Sequence, residues 1–145
     1  MSFEVRKGTA FEAFQVACEI PEFGNEAYDL EEYHQRLSAP SLVLIGMKGA
    51  QAVGFKAGYQ RGPAGYFYSW MGGILPAFRN QGLAGQLASA QEDWARDQGF
   101  MKVWFKTRNH NREMLHFALN RGFNITEVQP KANIEHNRII LEKSL

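Results

Sequence analysis

The chain has 145 residues, 16 Lys and Arg against 15 Asp and Glu for a net charge of +1, and 45% hydrophobic residues including 11 Phe, 5 Tyr and 3 Trp. That length fits one domain over residues 1–145 with a buried core; the apolar content excludes disorder, and the even charge points away from nucleic-acid and membrane partners. No apolar run reaches the ~20 residues of a membrane helix, the first residues lack a signal-peptide apolar region, and Cys18, the only cysteine, excludes an intrachain disulfide and fits a reducing, cytoplasmic setting.

Residues 3–7 read as a strand. Thr9 and Glu12 form a capping box, after which Phe11, Phe14 and Cys18 fall on one helical face, so Cys18 is expected as a buried thiol. Ile20-Pro21 ends that helix. Asp29 opens a second one, with Leu30, Tyr33 and Leu37 at helical spacing and Pro40 as its stop. Residues 42–47 and 53–59 read as strands joined by a turn near Gly49. Residues 66–75 form a long strand with Gly72-Gly73 inside it, which signals a bulge or the close approach of a ligand. Alternation turns Tyr66, Tyr68 and Trp70 to one face. They are core aromatics by default, with one of them a candidate to line a substrate site.

The strand then runs into Pro76, a short turn carrying Arg79, and Gln81-Gly82-Leu83-Ala84-Gly85, which opens an amphipathic helix with Leu83, Leu87, Ala90 and Trp94 on one face. This is the chemistry of an anion site. The first N–H groups of a helix have no partners and its dipole favours negative charge. Small residues let a phosphate reach the backbone, and Arg79 adds a planar, fixed positive charge. It is neither a Walker A loop nor a dinucleotide fingerprint, because no Gly-Lys-Ser/Thr and no Gly-x-Gly-x-x-Gly occurs. Gly99 closes the helix. A strand over 101–106, a helix over 112–120 ending at Gly122, and strands over 123–128 and 138–142 complete the chain.

With its flanks, the turn resembles the acetyl-CoA loop of the GNAT N-acetyltransferase superfamily. Its pattern is Val-x-Pro-x-x-Arg-x-x-Gly-x-Gly/Ala, matched by Ile74, Pro76, Arg79, Gly82 and Ala84. Residues 111–123 resemble the family's Asn-x-x-Ala-x-x-x-Tyr-x-x-x-Gly-Phe helix through Asn111, Gly122 and Phe123. Met114 replaces the small residue, and Ala118 stands where many members have tyrosine. The resemblance spans essentially the whole chain. It implies an α/β fold with a mixed sheet, two splayed central strands and helices on both faces. It also implies acetyl transfer from acetyl-CoA to a primary amine of a small molecule or peptide, by direct attack with both substrates bound. The backbone of Gly73, Ile74 and Leu75 would take the pantetheine arm and thioester. Arg79 and the N–H groups of Asn80, Gln81, Gly82, Leu83, Ala84 and Gly85 would take the pyrophosphate, and Asn111 would secure the arm. Family members are often dimers.

Since Ala118 removes the usual tyrosine acid, Tyr68 and His110 are the candidate substitutes. Ala118 also keeps open a non-catalytic CoA-binding or sensing module, and behind it an interaction protein that keeps only the fold. His34, His110, His116 and His136 lack ligand spacing with Cys, Asp or Glu, so no metal is expected. Residues 8–35 hold Glu12, Glu19, Glu22, Glu26, Asp29, Glu31 and Glu32 with no Lys or Arg, whereas residues 33–91 hold no acid at all. The acidic segment reads either as a solvated helical surface or as a lip that attracts a cationic amine.

Overall fold

A computed structural model of the protein describes residues 2–26, 28–38 and 40–145, and the side chains of these apart from Asn25 and Glu26. The elements are β1 (Glu4–Lys7), α1 (Ala10–Cys18), α2 (Leu30–Arg36), β2 (Ser41–Lys48), β3 (Gln51–Gln60), β4 (Tyr66–Ile74), α3 (Leu83–Asp97), β5 (Lys102–Arg108), α4 (Arg112–Asn120), β6 (Asn124–Gln129) and β7 (Arg138–Ser144). Short 3₁₀ turns occupy Pro21–Glu26, Pro76–Phe78 and Ile134–His136. The strands form one sheet in the order β1-β2-β3-β4-β5-β7-β6.

All neighbouring strands are antiparallel except β4 and β5. These two run parallel and pair only at Tyr66↔Lys102, Phe67↔Val103 and Tyr68↔Trp104. Beyond that point β4 stays with β3 and β5 stays with β7, so the sheet opens into a fork. Helices cover both faces. The Cβ that Gly46 or Gly54 lacks would meet Leu83 of α3, and Phe67 packs edge-on against Trp94, so α3 covers one face. Ala118 of α4 buries against Phe105, Ile139 and Leu141 beyond the fork on that same face. On the other face α1 packs on β2 and β3, and Phe23 meets Phe55. Burying side chains such as Phe55 and Phe67, each at most 1% exposed, contributes about 1.5–3 kcal/mol apiece.

The capping box at Thr9 and Glu12 is present, and Asp29 caps α2 through the Glu32 N–H at 2.9 Å. The buried face of α1 differs from the one read off the sequence. Phe11 is 46% exposed and Cys18 is exposed, while Ala13, Val16, Ala17 and Ile20 are buried. Both sets have helical spacing; the small one lets the helix approach the sheet closely, and that contact decides. The strand irregularity also moves. The β3–β4 register steps from Ala57↔Met71 to Gly58↔Ser69, which makes Trp70 the bulged residue and leaves Gly72 and Gly73 in regular register. Gly73 is a packing position, since a Cβ there would lie 2.5 Å from Ile20 Cδ1.

Candidate active site at the sheet fork

The carboxyl ends of the parallel pair β4 and β5 carry the loops that lead into α3 and α4. A crevice beyond the carboxyl ends of parallel strands is where open α/β sheets take ligands. Gly82 is the N-cap of α3 with φ 92°, and no side chain caps the helix. Its carbonyl accepts from Gln86 N at 3.2 Å, so the N–H groups of Leu83, Ala84 and Gly85 precede the first helical bond. Glycine at 82 allows the left-handed turn. Gly85 has an ordinary φ, and a Cβ there would meet only Arg121 Nη1, at 3.9 Å. Nothing in the fold requires glycine at 85. The missing side chain leaves backbone open beside an open cavity of about 620 Å³ that Gly82, Gly85, Gln86, Ser89 and Arg121 help to line. Asp93 also lines the cavity, so it is the backbone N–H groups of the helix start, with Arg121, that offer a place for a phosphate-bearing ligand.

Arg79 does not point its donor fork outward. Its Nε donates to Ile74 O at 2.9 Å, and its two terminal nitrogens take the Glu22 carboxylate, Nη2 to Oε1 at 2.9 Å. The guanidinium straps the turn to the end of β4 and to the 3₁₀ turn after α1. It holds the Glu22 carboxyl below the usual carboxylate range. An acid from outside the anion-free stretch of sequence is thus brought onto the anion turn. Asn80, with φ 60°, sits in the left-handed region inside this strapped loop.

On β4, residues past Tyr68 have no ladder partner on the β5 side, so alternate backbone groups of residues 69–74 face the opening. Gly73 and Ile74 belong to that segment, and Leu75 N is turned back to Val53 O at 2.8 Å. Asn111 caps the start of α4 beyond the end of β5, exposed, with no side-chain capping bond. Its side chain is therefore not committed to the helix. Gly73, Ile74, Gly82, Leu83, Ala84, Gly85 and Asn111 all lie along the fork or at its carboxyl end.

Tyr68 and His110 are not brought together. Tyr68 lies at the mouth of the fork, buried on the α1–α2 face, its ring 4.5 Å from that of Trp104 and 5.6 Å from that of Tyr59. Burial raises its phenol above the ordinary tyrosine value. His110 is exposed in the turn beyond the end of β5, with its backbone N–H on Glu135 O at 3.0 Å and its ring 6.0 Å from His136.

The sequence model of the Acetyltransferase (GNAT) family matches residues 9–123. The chain belongs to the GNAT acetyltransferase family. No curated protein matches its sequence. Solved structures of the same fold include Ard1 from Thermoplasma volcanium (18% identity, covering 100% of this chain and 99% of that one, TM-score 0.84). The ribosomal-protein-S18-alanine N-acetyltransferase from Escherichia coli is similar at 14% identity over 99% of this chain and 94% of that one, TM-score 0.83. A GNAT family acetyltransferase from Elizabethkingia anophelis, solved with acetyl-CoA bound, is similar at 17% identity over 99% and 98%, TM-score 0.77. Acetyl-CoA-dependent acetyl transfer is the activity this membership supports in general.

Two features of this GNAT protein were not singled out from the sequence. Arg61 and Lys106 place their cations on the Tyr68 and Trp104 rings. Lys106 follows Trp104 at strand period two, a signal that says "same face" but not which face. Lys56, on the α3 face opposite Gly72, is half-buried and its ammonium pKa is pushed down to about 8 by burial, with Glu92 opposing and Arg121 adding to the shift. In the acidic segment singled out from the sequence, three of the acids have cation partners, while Glu19, Asp29 and Glu31 have none among the described residues. Glu12 pairs with Arg6, Glu22 with Arg79 and Glu32 with Arg36; the Glu26 side chain lies outside the described residues. Among the described residues no group of three His, Cys, Asp or Glu forms a metal site.

Proposed function

We propose that this protein transfers the acetyl group of acetyl-CoA to a primary amine of a small molecule or peptide, with both substrates in the fork at once. The observation that carries this reading is the coincidence of two features on one strand pair. The fork exposes unpaired strand backbone, and the uncapped, glycine-bearing start of α3 stands at its carboxyl end. The relative from Elizabethkingia anophelis, which holds acetyl-CoA, supports the same assignment. In this reading the N–H groups of Leu83, Ala84 and Gly85 hold the pyrophosphate, and Arg79 fixes the loop that presents them. Asn111 and the β4 backbone at Gly73 and Ile74 hold the arm; Leu75, expected from the sequence to share that role, has its N–H on Val53 O and its carbonyl on Phe78 N.

Acetyl-CoA supplies the thioester as electrophile. The chain orients the amine against it and aims fixed N–H groups of β4 at the carbonyl oxygen, where charge develops. The neutral amine nitrogen bonds the acetyl carbon as the C–S bond breaks; the nitrogen's proton passes to water, and the sulfur takes a proton from Tyr68, which water then restores. A thiol of pKa ~8.5 is a tolerable leaving group, so the loss of the family tyrosine at Ala118 is compatible with turnover. Tyr68, at the mouth of the fork, is the proton donor in this reading. Ala118 also favours the second reading, a CoA-binding module without turnover.

Acetyl-CoA well above its dissociation constant is expected to raise the thermal midpoint, since it binds the folded state. Gly85→Glu, which the local space accommodates, is expected to fold normally and abolish that rise by placing bulk and negative charge where phosphate belongs. Absence of binding at millimolar acetyl-CoA by calorimetry would sink the assignment. Binding without acetyl-CoA consumption by any amine would leave the second reading standing.

A further inference from the structure

The α1–α2 face at the mouth of the fork holds a cluster of rings and cations. Tyr68 lies tilted against Trp104, Tyr59 meets both Tyr68 and Trp70, and Trp70 meets Tyr28 and Tyr33. Arg61 lies over Tyr68 at 5.0 Å and near Trp104 at 6.0 Å, and Lys106 Nζ is 5.9 Å from each of the same two rings. Arg36 lies over Tyr28 and Trp70, but its charge is met by Glu32 and it donates to Tyr59 Oη at 2.8 Å. Arg61 and Lys106 have no such partner. Among the described residues neither has a carboxylate within ion-pair distance.

The acids on this face of the neighbouring strands are otherwise engaged. Glu142 of β7 pairs with Lys102 at 2.7 Å, and Glu127 of the edge strand accepts from Gln129. Arg138 of β7 adds a further positive charge. Burial, then Arg61, Arg138 and Arg36, hold the Lys106 ammonium below the ordinary lysine range. A second kind of observation agrees. Trp70 is 8% exposed and its indole N–H has no acceptor among the described residues. The uncommitted polar groups of this cluster are thus donors and cations, and Arg61 and Lys106 are held half-exposed over the rings where an anion can join them.

We propose that the acceptor is an amine that also carries a carboxylate, seated by Arg61 and Lys106 over the Tyr68–Trp104 ring pair at the mouth of the fork. The inference rests on the acetyl-transfer reading and adds the acceptor class to it. A carboxylate bridging the two cations leaves the amine of the same molecule beside the β4 backbone. The local positive charge also disfavours the ammonium form, so the nucleophile is delivered neutral without a carboxylate base.

The test is a panel of the twenty L-amino acids, each set against its decarboxylated amine. Binding is measured with CoA saturating and turnover with acetyl-CoA. At least one carboxylate-bearing member is expected to bind about tenfold or more tightly than its decarboxylated partner, the scale of a charge-assisted contact, and to be acetylated. Lys106→Gln and Arg61→Gln are each expected to weaken that member about tenfold and erase the preference. Lys106→Arg is expected to retain it. The thermal midpoint and acetyl-CoA affinity of all three variants stay those of the parent. The proposal is overturned if no amino acid binds at millimolar concentration, if the decarboxylated amines bind as well, or if the glutamine variants keep the preference. Acetyl-CoA binding in the same samples separates such a failure from a failure of the cofactor reading.

Discussion

Lys56 shows how one half-buried side chain makes stability depend on pH. It faces α3 across from Gly72, and its pKa falls to about 8 from an ordinary value of 10.5. Below pH 8 the amine is charged in both folded and unfolded chains, so the cost of burying the charge is present in full. Between pH 8 and 10.5 the unfolded chain binds more proton than the folded one, and stability rises with pH. Lys56→Met is therefore expected to raise stability at pH 7 and to flatten that rise. Denaturant melts from pH 7 to 10.5 check it, and a parallel pair of curves counts against the burial argument. Tyr68 acts in the opposite sense. Its raised phenol pKa keeps it a proton donor through the alkaline range. If it protonates the leaving sulfur, kcat/KM rises with pH toward the acceptor's own pKa, with no descending limb up to about pH 10. Tyr68→Phe should then lower kcat ~10²-fold, while His110→Ala, on its remote loop, leaves it unchanged. Steady-state rates from pH 6 to 10.5 decide. A descending limb that survives both substitutions points to an acid elsewhere.

Strand β4 owes its use to irregularity. The bulge at Trp70 puts both Trp70 and Met71 on the α1–α2 side, and Ser69 and Gly72 on the α3 side. It depends on close approach by β3, since a Cβ at Gly58 would lie 2.4 Å from Tyr68 O and 2.6 Å from the Phe67 ring. One of those neighbours is backbone in the last paired turn before the fork. Gly58→Ala is expected to cost about 2 kcal/mol or more through overpacking, and to shift the near-ultraviolet signal of Trp70 and Trp104. A neutral stability change with an unchanged spectrum would show that β3 yields more easily than this geometry suggests. Helix α3 is tied to the far side of the fork by Glu92, buried at 6% exposure, which takes Arg121 at 3.3 Å and Lys143 at 2.6 Å. Removing one member of such a cluster leaves uncompensated charge, whereas the intact cluster fixes geometry more than it adds stability.

The sheet has two parts joined between β4 and β5 at three residue pairs. The larger core runs through β1 to β4, α1, α2 and α3 and reaches Val103; the smaller one gathers Phe105, Ala118, Ile139 and Leu141. Backbone groups that line the opening lack sheet partners and exchange through local rather than global opening. A ligand that spans the fork and bonds both edges should slow amide exchange of residues 70–74 and 105–108 and of the first turn of α3, and leave the edge strand β6 unchanged. Hydrogen exchange with and without acetyl-CoA measures this. Protection confined to α3 would mean that the arm does not enter the fork. No described helix is long and apolar enough to cross a membrane.

What local spacing controls was legible in the chain. The capping box, the Asp29 cap, the uncapped glycine start of α3, the span of α4 and its Gly122 stop each depend on residues within a few positions of one another. So does the anion turn, and with it the family. Other features depend on which distant segments meet. Phe11-Phe14-Cys18 and Ala13-Val16-Ala17-Ile20 are both helical stripes; contact with the sheet buries the second, and of the first only Phe14 packs on the core, against Tyr33. A double glycine marks a possible bulge, but the bulge falls at Trp70 because register is set across β3. Arg79 reads as a free phosphate ligand until Glu22, far away in sequence, folds onto it. Arg61 and Lys106 lie 45 positions apart and share two rings only because β3 and β5 flank β4. Charge and ring chemistry are written in the sequence, but pairing is a property of the packed sheet, and pairing decides which charges are left for a substrate.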